Sequence, residues 1–180
     1  MKQWESLFAE LRLSSHEKKA IVRFCAEPQG LGFLPLSELL KHHHRRGEAM
    51  ELLAWGVKHN PGYLPARVKL ARELLLRGVV CAAWDVLLVF LEGSEENFLG
   101  YKTAFFCALL LGNRAESFRL AKLLEALNQY DRELKTLVNC LLLEGFSQAQ
   151  QELLAALASQ GVKVVRPGRQ QLAGASFTAV

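Results

Sequence analysis

The sequence is poor in the features that mark specialised protein classes. Its 13 glycines and 5 prolines fall without a period across 180 residues, which excludes collagen-like and low-complexity chains. No run reaches 18 apolar residues, and stretches such as 104–111 are too short to cross a bilayer. The opening residues Met1-Lys2-Gln3-Trp4-Glu5 lack the apolar stretch of a signal peptide. None of Cys25, Cys81, Cys107 and Cys140 stands in a CxxC, and no Cys–His pair has zinc-finger spacing. No cysteine-based metal site is therefore expected, and reduced thiols in a cytoplasmic protein are. A GxSxG motif and a phosphate-binding glycine loop are both missing, so neither catalytic residues nor a cofactor are predicted. Charge of one sign is scarce too, because 22 basic residues face 18 acidic ones for a net +4.

What is present is core material. Half of the chain is hydrophobic (51%), with ten Phe, three Trp and three Tyr. Such a composition folds, since disorder requires low hydrophobicity and high net charge. The apolar residues also repeat. Leu74-Leu75-Leu76-Arg77-Gly78, Leu109-Leu110-Leu111-Gly112 and Leu141-Leu142-Leu143-Glu144-Gly145 end alike, with their glycines 34 and then 33 residues apart. Each is preceded by an i, i+1, i+4 stripe: Leu70, Ala71 and Leu74; Ala104, Phe105 and Ala108; Leu137, Val138 and Leu141. Such a stripe is the buried face of a helix. A second helix follows each glycine, marked by Ala83, Leu87 and Phe90, by Ser117, Ala121 and Leu124, and by Gln150, Leu154 and Leu157.

One period earlier, Phe33, Leu36, Ser37 and Leu40 predict a first helix, and Ala49, Leu53 and Gly56 a second, closed by Pro61. Ser14-x-x-Glu17, Asn113-x-x-Glu116 and Ser147-x-x-Gln150 read as capping boxes at helix starts. Residues 1–29 predict a degenerate or capping hairpin, with Trp4, Leu7, Phe8 and Leu11 on its first helix. Four units follow at 30–63, 64–97, 98–130 and 131–160, and residues 161–180 leave the pattern as an irregular, extended tail. That tail reads equally as disorder, as a cap on the last hairpin or as a pseudo-ligand for a groove.

These copies resemble the tetratricopeptide repeat family, whose motif is a 34-residue helix–turn–helix with alternating large and small positions. The copy at 30–63 fits best. The copy at 64–97 has Arg67 where an aromatic residue is usual and Glu95 where proline is usual, and the copy at 98–130 puts Phe105 at a small position. The resemblance implies an all-α, right-handed superhelical solenoid of about five antiparallel helix pairs. It also implies a concave inner surface, built by the first helices, that holds a peptide of another protein.

In that register the inner face carries Leu34, Glu38, Lys41 and His42; Val68, Lys69, Arg72 and Leu75; Leu99, Lys102, Thr103, Phe106 and Leu109; and Arg132, Lys135, Thr136, Asn139 and Leu142. Lys41, Lys69, Arg72, Lys102, Arg132 and Lys135 against the single acid Glu38 predict a basic groove. Leu75, Phe106, Leu109 and Leu142 add an apolar strip, the usual mark of an interaction site. The expected partner is a protein segment with acidic and apolar residues, on a signalling protein or a small GTPase, bound by a regulatory adaptor or scaffold. A secretion chaperone for an exported client is the alternative, and a homodimer through uncapped terminal repeats is open. Lys135-x-x-x-Asn139 looks like part of the clamp with which some family members hold a terminal carboxylate, but its other members are not recognisable. His42-His43-His44 is read as a helix C-terminus and not as a metal site, because consecutive helical residues point about 100° apart. A nucleic-acid-associated role is the reading of another class. Against it, the basic residues are not clustered and no RNA-binding signature is present.

Overall fold

The computed structural model describes residues 8, 14–27, 30–91, 97–127 and 131–164. Among them are nine helices and no strand: α1 Ser15–Ala26, α2 Phe33–His42, α3 Arg46–His59, α4 Leu64–Leu76, α5 Val80–Leu91, α6 Phe98–Leu111, α7 Arg114–Leu127, α8 Arg132–Leu143 and α9 Phe146–Ser159. None is long and apolar enough to cross a membrane. Helices α2 to α9 fall pairwise within the four spans marked by the repeat. Of the first predicted helix, Trp4, Leu7 and Leu11 lie outside the described residues, while Phe8 is buried.

The chain divides into two compact units, Met1–Arg67 and Val68–Val180, the boundary falling within α4. In the first unit α1 packs on α2 and α2 on α3. Ser14 and Glu17 cap α1 reciprocally, as the capping box predicts, with Glu17 N–H donating to Ser14 Oγ and Ser14 N–H to Glu17 Oε2. The α2 stripe of Phe33, Leu36, Ser37 and Leu40 is entirely buried. Ser37 tolerates this because its hydroxyl donates to the Leu34 carbonyl at 2.6 Å. Helix α3 crosses directly over Phe33 at Gly56, where any Cβ would come closer than 3.0 Å to the Phe33 ring. Tyr63 then meets Phe33 edge-on at 6.4 Å, and Trp55 meets Phe24 at 5.7 Å.

In the second unit α5 packs on α6, α6 on α7, α7 on α8 and α8 on α9. In addition, α9 returns to pack on α6. Helix α6 is therefore covered by α5, α7 and α9, and is buried nearly all round, from Gly100 and Tyr101 to Leu110. This explains why its sequence breaks the large-and-small pattern. With three packed sides, Phe105 and its neighbours Ala104 and Ala108 are all fully buried, and only the narrow strip of Leu99, Lys102 and Phe106 stays partly exposed to set a register.

Three of the hairpin turns share one backbone device. Gly78 and Gly112 have φ of 77° and 78°, the left-handed region that glycine enters without strain, whereas Gly145, at φ 100° and ψ 173°, is a differently folded N-cap of α9. His44 has φ 59° at the corresponding turn between α2 and α3. It is a third member of the series, 34 residues before Gly78 and filled by a residue other than glycine. In all three turns the next N–H donates to the carbonyl five residues before it: Arg45 to Leu40, Val79 to Leu74 and Asn113 to Ala108. The three histidines are thus the last residue of α2, its cap and a turn residue.

One predicted cap is corrected. Asn113 does cap α7, accepting from Glu116 N–H at 3.2 Å. The turn at Gly145 instead starts α9 at Phe146, which leaves Ser147 inside the helix with no side-chain cap at its start. Gln150, released from capping, reaches from α9 to α6 and donates to the Leu109 carbonyl at 2.6 Å.

Candidate functional site

Within the second unit, α4, α6, α8 and α9 enclose an open cleft of about 430 Å³. Helix α4 contributes Arg72, Leu75 and Leu76, and α6 contributes Leu99, Lys102, Thr103 and Phe106. Helix α8 adds Glu133, Thr136 and Leu137, and α9 forms a wall with Glu152, Leu153, Ala156 and Leu157, continued by its C-cap Gln160. The α6 residues share a face because their spacing of 3, 1 and 3 follows the helical period. Thr103 is buried there, its hydroxyl donating to the Leu99 carbonyl at 2.7 Å. The floor is apolar and partly open to solvent, with Leu76 38% and Leu99 42% exposed.

Lys102 is the most constrained charge in the cleft. Its ammonium donates to Asp131 Oδ2 at 2.5 Å and lies 5.6 Å from the centre of the Phe106 ring. Asp131 is also the N-cap of α8, its other oxygen accepting from Leu134 N–H at 3.0 Å. One carboxylate thus starts α8 and ties it to α6. Partial burial pushes the Asp131 pKa up, but the hydrogen bonds from Lys102 and the backbone outweigh it and hold the carboxyl below its ordinary value. A group with a depressed folded pKa stabilises the fold above its unfolded pKa and loses that contribution as pH falls through the folded value. Asp131→Asn keeps a good N-cap while removing the ion pair. The variant is expected to melt below the parent at neutral pH, with the gap closing below about pH 4, where an ordinary aspartate protonates. Thermal unfolding followed by circular dichroism from pH 3 to 8 reads this directly, and a gap independent of pH would refute it.

The structure brings together part of the predicted inner face. Arg72, Leu75, Lys102 and Phe106 line the cleft. Leu75 is nearly buried, and Leu109 is fully buried beneath α9, so Leu109 is core and not surface. Arg132, Lys135, Asn139 and Leu142 lie along one exposed face of α8 outside the cleft. Lys69 is half-buried on α4 and is not part of the lining. Lys41 belongs to the first unit, where it pairs with Glu38 at 3.1 Å.

The expected basic groove is corrected for this cleft. Its ionisable lining residues are Arg72, Lys102, Glu133 and Glu152, two of each sign, and Lys102 is already matched by Asp131. The sequence reading missed Glu133 because the inner face of α8 is turned by about one residue from the expected register. It missed Glu152 because only first helices were expected to line the groove. The α9 wall does follow a helical stripe, 153, 156, 157 and 160. That stripe marks a packed face without saying which helices it faces.

Among the described residues no group of three or more His, Cys, Asp or Glu side chains is placed to hold a metal ion. Burial, with Cys81 nearby, pushes the Cys107 thiol far above its ordinary range. Cys140 is also buried, and its thiol lies 3.8 Å from Glu144 Oε2. Comparison with protein-family models, curated proteins and solved structures found no match.

Proposed function

We propose that this chain is a non-enzymatic protein-interaction module, an adaptor or scaffold of tetratricopeptide type, and that the cleft between α4, α6, α8 and α9 receives an extended or helical segment of a partner protein. The observation that carries this reading is the open apolar floor of Leu76, Leu99 and Phe106, bordered by charges of both signs. Water-exposed apolar surface of this kind gains free energy when covered. The regular spacing of the helix hairpins and of their left-handed turn residues supports the family resemblance. The partner segment is anchored by apolar side chains. Arg72 selects an acidic neighbour on it, and Glu133 and Glu152 select basic ones.

The test is a comparison of affinity capture from native lysate by the parent and by a Leu99→Glu/Phe106→Glu variant. Both positions are partly exposed, so the variant is expected to keep its helical circular dichroism. Proteins that depend on the cleft should drop at least tenfold in yield, the scale expected when central apolar anchors of an interface are lost. An identical set of captured proteins from both baits would sink the proposal.

A further inference from the structure

We infer that the cleft has an occupant within its own chain: residues 165–180, a basic and apolar segment that competes with the partner. The first ground is where the described chain ends. After α9, Gly161 turns in the left-handed region at φ 77°, and Val162 N–H donates to the Leu157 carbonyl at 3.0 Å. Val162 is buried. The backbone of Lys163 and Val164 then presses on Gly78, so closely that a Cβ there would fall under 3.0 Å from the Lys163 carbonyl. Gly78 lies two residues after Leu76, which Leu75 directly precedes, and Lys163 lies three residues after Gln160, with Leu157 one turn further back. All four of these residues line the cleft. The exit point at Val164 is therefore held near the cleft rim, beside Gly78 and at most about 14 Å of chain beyond Gln160.

The second ground is charge. Residues 165–180 carry Arg166 and Arg169 and neither Asp nor Glu. The cleft offers Glu133 and Glu152 against Arg72, and with the charge of Lys102 spent on Asp131 the acids outnumber the remaining base. Arginine fits such carboxylates with a forked pair of donors. Leu172 and Phe177 follow on the same segment and supply the apolar anchors that Leu99 and Phe106 would cover. A tether this short keeps the segment at an effective concentration in the millimolar range. A free partner must therefore displace it, which makes the segment a threshold on partner binding.

This inference rests on the cleft being the binding surface proposed above, and its test has a readout separate from partner capture. The photo-crosslinker p-benzoylphenylalanine is placed at Leu172 in the full chain, and crosslinks are mapped by mass spectrometry. The expected result is intramolecular crosslinks to α6, α8 and α9, unchanged on dilution. Glu133→Lys with Glu152→Lys should reduce their yield at least tenfold. Adding Arg166→Glu and Arg169→Glu to that double variant should restore it, which a misfolded variant could not do. Crosslinks outside the cleft, crosslinks between copies, or a yield indifferent to the charge reversals would overturn the inference. Arg166→Glu with Arg169→Glu alone should raise partner capture by the otherwise unaltered chain. If crosslinking fails while capture still depends on Phe106, the cleft remains a partner site without an internal occupant.

Discussion

Replacing Gly78 by alanine is expected to destabilise the second unit by about 2–5 kcal/mol, roughly twice the effect of the same change at Gly112. Both glycines have nearly the same left-handed φ, 77° and 78°, so both variants incur the backbone cost of about 1–2 kcal/mol for an L-residue in that region. They differ in surroundings. A Cβ at Gly112 meets nothing within 4 Å, whereas one at Gly78 collides with the backbone of Lys163 and Val164. Backbone cannot rotate away as a side-chain tip can, so overpacking adds about 1–3 kcal/mol. The difference between the two variants isolates the hold of the α4–α5 turn on the chain after α9. Urea unfolding of the two proteins measures it, and hydrogen exchange at Val162–Val164 should quicken in Gly78→Ala alone. Equal losses from both variants would show that this close approach contributes no stability.

Gly56→Ala should destabilise the first unit by about 2 kcal/mol, against the direction of helix propensity. Glycine inside a helix costs about 1 kcal/mol relative to alanine, so an unconstrained α3 would gain from the change. The new methyl has no space, because Phe33 is fully buried beneath Gly56 and braced by Tyr63. Gly47, in the first turn of the same helix, is open, with nothing within 4 Å of a Cβ. Gly47→Ala should accordingly be neutral or slightly stabilising. Shortening the obstacle with Phe33→Leu should relieve Gly56→Ala, a coupling that a double-mutant cycle detects. A Gly56→Ala variant as stable as the parent in either background would contradict the packing described.

Much of the fold could be read in the residues because a helix hairpin writes its own signals. The glycines at 78, 112 and 145 mark turns whose backbone needs them, and the stripe of Phe33, Leu36, Ser37 and Leu40 is a buried face as read. His44 escaped that reading. It holds the left-handed turn position that Gly78 and Gly112 hold, at a cost that histidine tolerates better than branched residues, and so leaves no compositional trace. The cleft was legible only in part. Arg72, Lys102 and Phe106 follow from the helical period of α4 and α6. By contrast, Glu152, and the burial of Leu109, depend on α9 folding back over α6. That contact links helices from different hairpins, and no local spacing encodes it. Ser147-x-x-Gln150 shows the same limit. A capping pattern is a local preference, and the turn at Gly145 displaced it while the long-range bond from Gln150 to Leu109 took its place.

That return of α9 also decides how the second unit comes apart. An array in which each hairpin meets only its neighbours can fray from its free end, one hairpin at a time. Here the last described helix is fastened three helices back, by packing on α6 and by the Gln150 amide on the Leu109 carbonyl. The α8–α9 hairpin cannot peel away without uncovering the middle of α6. The end of the array and its centre therefore share one opening event, and the slowest-exchanging amides of α6 and α9 should have the same protection.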